Sequence, residues 1–155
     1  MKEEQDLEDR IQSIQAYAQG VGMSAALGIV FIAGLVNHGL AKRPSDLYAL
    51  TKEMLMADGF VNAKLAERYL EVIDHYRHTT LANVLLGYAI PGVGLLTATV
   101  IKQVAGDIAG LATVTSEELV RKGVPTKCAK AFTHWIRDPK NLDELRALSI
   151  HLILE

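Results

Sequence analysis

The chain has 155 residues, half of them hydrophobic, with 16 basic and 18 acidic side chains, a net charge of −2 and one cysteine. That length suffices for one core and leaves little for a second. The charge balance supplies no broad field to attract nucleic acid, and the lone Cys128 excludes an internal disulfide and fits a reducing compartment. The expectations are a single all-helical unit over 1–155, a cytoplasmic location and no nucleic-acid partner.

The chain opens on MKEEQDLEDR, an acidic leader unlike the basic start of a secretory signal, with residues 1–6 expected to be flexible. Leu7, Ile11 and Ile14 then recur at helical spacing. From Ile11 to Ala41 there is no Asp, Glu, Lys or Arg, and Gly20, Gly22, Gly28, Gly34 and Gly39 punctuate an aliphatic run. Glycines at that density cost about 1 kcal/mol each in a helix, which close helix packing can offset. Lys42-Arg43-Pro44 ends the run, Ser45 or Asp46 can cap a following helix, and Leu47, Leu50, Met54 and Leu55 form an inward stripe. Asp58-Gly59 is a turn signal and Asn62 a cap for the helix that follows, in which Leu65, Tyr69, Val72 and Tyr76 share one side.

The segment LTKEMLMADGFVNAKLAERYLEVI, Leu50 to Ile73, resembles the helix, Asp-Gly turn, helix core of tellurite-resistance TerB-like domains. The resemblance implies an all-helical domain, of a kind found beside membranes or in stress responses and sometimes associated with metal. Asn62, Ala63 and Lys64 stand where acidic positions follow the turn in that family.

A second uncharged run, Thr79 to Ile101, is broken by Pro91-Gly92-Val93-Gly94, which predicts two shorter helices or one kinked helix, with Pro91, Gly92 and Gly94 as a hinge. Thr115-Ser116-Glu117-Glu118 is a capping box and Gly123-Pro125 the matching stop. Pro125 and Asp138-Pro139 begin two final helices, the first with Cys128, Phe132 and Trp135 or Ile136 inward, the second with Leu142, Leu145, Leu148 and Leu152. No internal repeat stands out. The fold expected is a compact helical bundle or orthogonal array of about six to eight helices with glycine-rich central members.

The two uncharged runs also admit a two-pass membrane protein. Val21 to Ala41 rises about 30 Å as a helix, the thickness of a hydrocarbon layer. In that alternative Asp107, among small apolar neighbours, marks a polar path. Amphipathic helices outside the runs favour a packed interior.

Polar residues give few chemical leads. Glu71, His75 and His78 lie four and three residues apart on one helix, and with His38 they are the candidate ligands for zinc, iron or manganese. Water explains the same face, since it lies opposite the apolar stripe, and His38 reads first as a satisfied buried histidine. Asp107 and Trp135 are candidates for an assembly contact. Pro91-Gly92-Val93-Gly94 lacks the Lys-Ser/Thr ending of a phosphate loop. The favoured function is a non-enzymatic protein working through self-association or a protein or membrane partner, with no cofactor; a metal-dependent enzyme is the further alternative.

Overall fold

A computed structural model describes all of residues 1–155. Helix α1 (Lys2–Val21) includes most of the acidic leader and buries Ile14, Tyr17, Ala18 and Val21. The chain then stops at Gly22, whose φ of 97° is a left-handed cap that only glycine adopts freely. The first uncharged run continues as the one-turn α2 (Ser24–Leu27) and as α3 (Ile29–Asn37), which buries Phe31, Ile32, Leu35 and Val36. A 3₁₀ segment, Pro44–Ala49, leads to α4 (Lys52–Met56) and α5 (Ala63–His75). The second uncharged run divides at Tyr88–Gly94 into α6 (Leu81–Gly87) and α7 (Leu95–Ala105). The last helices are α8 (Ile108–Leu111), α9 (Ser116–Arg121), α10 (Thr126–Arg137) and α11 (Pro139–Ser149).

The fold is therefore all-helical, with eleven α-helices and short 3₁₀ turns, more and shorter pieces than the six to eight expected. Glycine and proline cut both uncharged runs before either reaches spanning length, and no helix is long and apolar enough to cross a membrane. The runs supply instead much of a continuous apolar core of 33 buried residues, in which Leu27, Phe31, Ile32, Leu35, Leu81, Leu85, Ala98 and Ile101 meet Leu119, Phe132, Ile136, Leu145 and Leu148.

Helix α1 packs on α3 and α6, and α6 on α7. The α1–α6 crossing is so close that a side chain on Gly20 would overlap the Gly87 backbone, while one on Gly87 would lie 3.0 Å from Tyr17 Cα. The C-terminal segment closes on the middle of the chain through a two-residue parallel pair, β1 (His78–Thr79) and β2 (Ile153–Leu154). Arg77 reinforces the closure by donating to the carbonyls of Tyr48 and His151.

One architectural element recurs four times. A helix ends, a connection containing a glycine of positive φ follows, and a further helix starts: α1 to α3 through the single turn of α2 and Gly28, α4 to α5 through Gly59, α6 to α7 through Gly92, and α9 to α10 through Gly123. The second helices begin in equivalent register, Ile29-Val30-Phe31-Ile32, Ala63-Lys64-Leu65-Ala66, Leu95-Leu96-Thr97-Ala98 and Thr126-Lys127-Cys128-Ala129, the fourth residue being buried each time. The sequence hid this repetition because only the turn glycine and a few buried positions are shared.

Candidate nucleic-acid interface

The helices that precede the turns and those that follow them begin differently. Helices α4, α6 and α9 are closed by threonines: Thr51, Thr80 and Thr115 accept from the backbone amides of Met54, Asn83 and Glu118, each at 3.2 Å. The helices that leave the glycine turns are barer. The starts of α3 at Gly28, α7 at Gly94 and α10 at Pro125 have no side-chain cap, and α5 alone is capped, by Asn62 accepting from Leu65 N at 2.8 Å. A helix start without a side-chain acceptor leaves amide donors at the positive end of the helix dipole, a setting suited to an anion.

The charge around these tips alternates. On α5, Lys64 and Arg68 line a shallow recess with Asn62 and Leu65, with no acid among them. From Arg121 to Arg137, spanning the α9–α10 turn and all of α10, there are five basic residues and no acidic one; Lys122, Lys127 and Lys130 are exposed. The tips of α3 and α7 carry no charge and present Ile29, Val30, Leu95 and Leu96 to solvent. The expectation of no attractive field came from a whole-chain sum in which the acidic residues of α1 cancel the bases gathered at these turns.

A buried polar hub joins α11 to the 3₁₀ segment and the end of α6. Glu144 on α11, 7% exposed, accepts from Ser45 N at 3.1 Å, Ser45 Oγ at 2.5 Å and Tyr88 Oη at 2.7 Å, and pairs with Arg43 Nε at 3.2 Å. Tyr17 and Tyr48 share a hydroxyl–hydroxyl bond of 2.6 Å. Burial holds the phenols of Tyr17 and Tyr88 protonated far above the ordinary tyrosine range and pushes Tyr48 up to about 12, against the lowering effects of its bond to Tyr17 and the charge of Arg77. These bonds fix the 3₁₀ segment and the end of α6, where the α6–α7 turn begins at Tyr88, against α11.

The sites expected from sequence are dispersed. His38 is exposed, resting against the Phe60 ring at 4.6 Å, rather than buried. Its position one residue past the last turn of α3 places it on the rim of the core. Glu71, His75 and His78 are exposed, and no group of three or more His, Cys, Asp or Glu side chains in the molecule could hold a metal ion. Asp107 is the exposed N-cap of α8, accepting from Gly110 N at 2.8 Å, which accounts for an acid among small residues. Trp135 is half-buried, 5.8 Å from the Tyr88 ring. Pro91, Gly92 and Gly94 form the α6–α7 turn, and Gly92 faces Cys128 of α10.

Fold and tips together define a class: an all-helical scaffold built from repeated helix, glycine turn, helix units, two of them basic at the turn. No family model matches the chain. Among proteins of known activity, the chain is similar to DNA ligases: it is 37% identical over 123 residues to that of Nitrosococcus oceani, 34% over 124 residues to that of Aquifex aeolicus and 31% over 132 residues to that of Acidobacterium capsulatum. These alignments take in 79%, 79% and 84% of this chain but 18%, 17% and 20% of the ligases. The chain thus spans about a fifth of the length of the curated relatives it matches.

This similarity overturns the functional expectation drawn from sequence. A non-enzymatic protein acting by self-association, or through a protein or membrane partner, is replaced by a domain related to DNA ligases, and the exclusion of nucleic acid falls with it. The membrane alternative lacks a spanning helix and the metal-enzyme alternative lacks a ligand cluster. The stretch that resembles a TerB-like core is the second of the four units, α4 to α5, a local helix–turn–helix likeness within a longer one.

Proposed function

We propose that this chain is a ligase-related DNA-binding domain that grips the phosphate backbone of duplex DNA with its glycine-turn tips and acts in the cytoplasm, in DNA joining or a related processing step. The observation that carries this reading is the contrast between helix starts: three of the four before the turns are closed by threonine, while three of the four after the turns leave their first amides without a side-chain acceptor. Phosphate oxygens suit those amides, and backbone contacts of this kind set the register of a protein on a duplex. Lys64 and Arg68 at one tip, and Arg121, Lys122, Lys127 and Lys130 at another, supply the cations. The likeness to proteins named DNA ligase supports the choice of DNA over other anions.

The test is fluorescence anisotropy with a labelled 30-bp duplex at low salt. Lys64→Glu combined with Lys127→Glu weakens binding at least tenfold, while Glu3→Lys, far along α1 from the turns, changes it little. Absence of binding by the native chain, or indifference to the paired charge reversal, refutes the reading.

A further inference from the structure

Helix α11 borders two recesses that share a wall. In the first, of about 360 Å³, Ile108, Ala109, Ala112, Leu142 and Leu154 make an apolar lining, and Asp107 and Arg146 are the charged groups. Its volume lies in the range of small-molecule sites, roughly 300–1,000 Å³. The second, of about 530 Å³, is basic: Arg137, Lys140 and Arg146 line it, with Asp143 as the one acid. Leu142 and Arg146 belong to both, so the recesses form one trough, apolar at one end and cationic at the other.

The charges of the trough are largely uncommitted. Every ion pair in the molecule uses another cation, Arg43, Lys52 or Arg77, which leaves Arg137, Lys140 and Arg146 exposed and unpaired. Asp143 is held by Arg43 at 3.3 Å, and Asp138, beside Arg137, accepts from Lys140 N at 2.9 Å as the cap of α11. Unpaired cations around one recess repel one another and favour an anion of more than one charge. At the apolar end, Asp107 gives Oδ1 to Gly110 N at 2.8 Å and leaves Oδ2 free to accept. The trough is also separate from the glycine turns. Arg137 ends α10 and Asp107 follows the end of α7, roughly 16–18 Å along each helix from its start at a turn.

We propose that this trough binds a guanine nucleotide with two or more phosphates, the base in the apolar recess against Asp107 and the phosphates along Arg146, Lys140 and Arg137. The polarity of the ligand matches that of the trough from end to end. A flat ring suits a lining of alanine and leucine, and guanine N1–H and its exocyclic amine are adjacent donors that one carboxylate accepts together. Adenine sets a ring acceptor beside its amine, and a carboxylate repels that acceptor. An acidic peptide would bring carboxylates against Asp107, and a fatty acid would strip water from Asp107 without replacing its hydrogen bonds. Duplex DNA could fill the apolar recess only by extruding a base.

Isothermal titration calorimetry of the full chain with GDP, ADP and inorganic pyrophosphate tests the assignment. GDP binds about tenfold more tightly than either of the others. Asp107→Asn keeps the cap of α8, because asparagine caps as well as aspartate, but turns an amide donor towards the base; it lowers GDP affinity about tenfold and leaves pyrophosphate affinity unchanged. Arg146→Gln weakens both about tenfold. GDP also slows amide exchange at Ile153 and Glu155, whose bonds to Arg77 O at 2.7 Å and Thr79 O at 2.9 Å hold the strand that carries Leu154. No binding of GDP, equal affinity for GDP and ADP, or an Asp107→Asn variant that keeps native GDP affinity overturns the proposal. So does exchange at Ile153 and Glu155 that ignores GDP, which places the ligand elsewhere. Pyrophosphate binding as tight as that of GDP reduces the trough to an anion patch, and displacement of GDP by a saturating 30-bp duplex gives its cations to DNA; either result overturns the nucleotide site. Lys64→Glu combined with Lys127→Glu leaves GDP affinity within about twofold of native, so the nucleotide site and the DNA-binding turns stand or fall separately.

Discussion

Replacing Gly20 by alanine separates two effects of opposite sign. Helix propensity alone favours the change by about 1 kcal/mol, because Gly20 lies inside α1 and alanine removes the entropic penalty of glycine there. Packing opposes it. The added Cβ would overlap Gly87 Cα and N, and Leu86 carbonyl carbon would lie 3.0 Å away, all backbone atoms of α6. A backbone cannot rotate aside as a side chain can, so α1 and α6 must separate along their length. Overpacking of this kind costs about 1–3 kcal/mol, and here the separation also strains the 2.6 Å Tyr17–Tyr48 bond, because Tyr17 sits one turn before Gly20 and faces Gly87. The net expectation is a loss of about 1–2 kcal/mol, which for a domain of this size lowers Tm by roughly 2–8 °C. Differential scanning calorimetry measures it, with Gly94→Ala as control, since nothing lies within 4 Å of a Cβ at Gly94. An unchanged or raised Tm in Gly20→Ala refutes the claim that glycine at this crossing serves close approach.

Three further outcomes follow from the hub and the tips. Glu144→Ala leaves the Tyr88 hydroxyl and the Ser45 amide without their acceptor, at about 1–3 kcal/mol for each stranded group, while Arg43, itself 43% exposed, turns to water; urea unfolding should show a loss of roughly 2–6 kcal/mol. The phenol of Tyr48 is pushed up to about 12 in the folded chain, so its contribution is complete below pH 10 and disappears as pH rises from 10 towards 12. Chemical denaturation should show stability falling by at least about 1.4 kcal/mol per pH unit in that window, with a shallower fall in Tyr48→Phe. Gly94→Asp gives α7 the cap it lacks: the φ of −96° suits an aspartate, Tm rises slightly, a few tenths to about 1 kcal/mol in stability, and DNA affinity falls severalfold because a carboxylate occupies the amides and repels phosphate.

Much of the scaffold is legible in the chain. Thr115 with Glu118, Asn62, and Asp138-Pro139 mark helix starts that the structure contains, because capping is a local matter decided by a few neighbouring atoms. Pro91 marks a real division between α6 and α7 for the same reason. The long uncharged runs are harder to read: hydropathy reports only that a segment leaves water, and whether lipid or other helices receive it depends on contacts such as Gly20 with Gly87, distant in sequence. Function is hidden most thoroughly. A backbone amide has no letter in the sequence, so a tip made of bare helix starts gives no residue signature. One signal was available: the run from Arg121 to Arg137 with five bases and no acid, which a whole-chain charge of −2 conceals. The His75–His78 face misleads because it carries metal-type residues at helical spacing but nothing opposite to complete a shell.

The claim on which the account depends is that the glycine-turn tips meet the phosphate backbone. Titration of the isotope-labelled chain with a 30-bp duplex, followed by amide chemical shifts, tests it directly. The largest shifts are expected to cluster at residues 28–31, 62–65, 94–97 and 123–128, and affinity to fall with salt at a slope of roughly −3.6 to −5.4 in log–log terms, as for four to six neutralised phosphates. Shifts concentrated on the solvent face of α5 around Glu71 and His75, or spread along α1 with the tips unmoved, would contradict it.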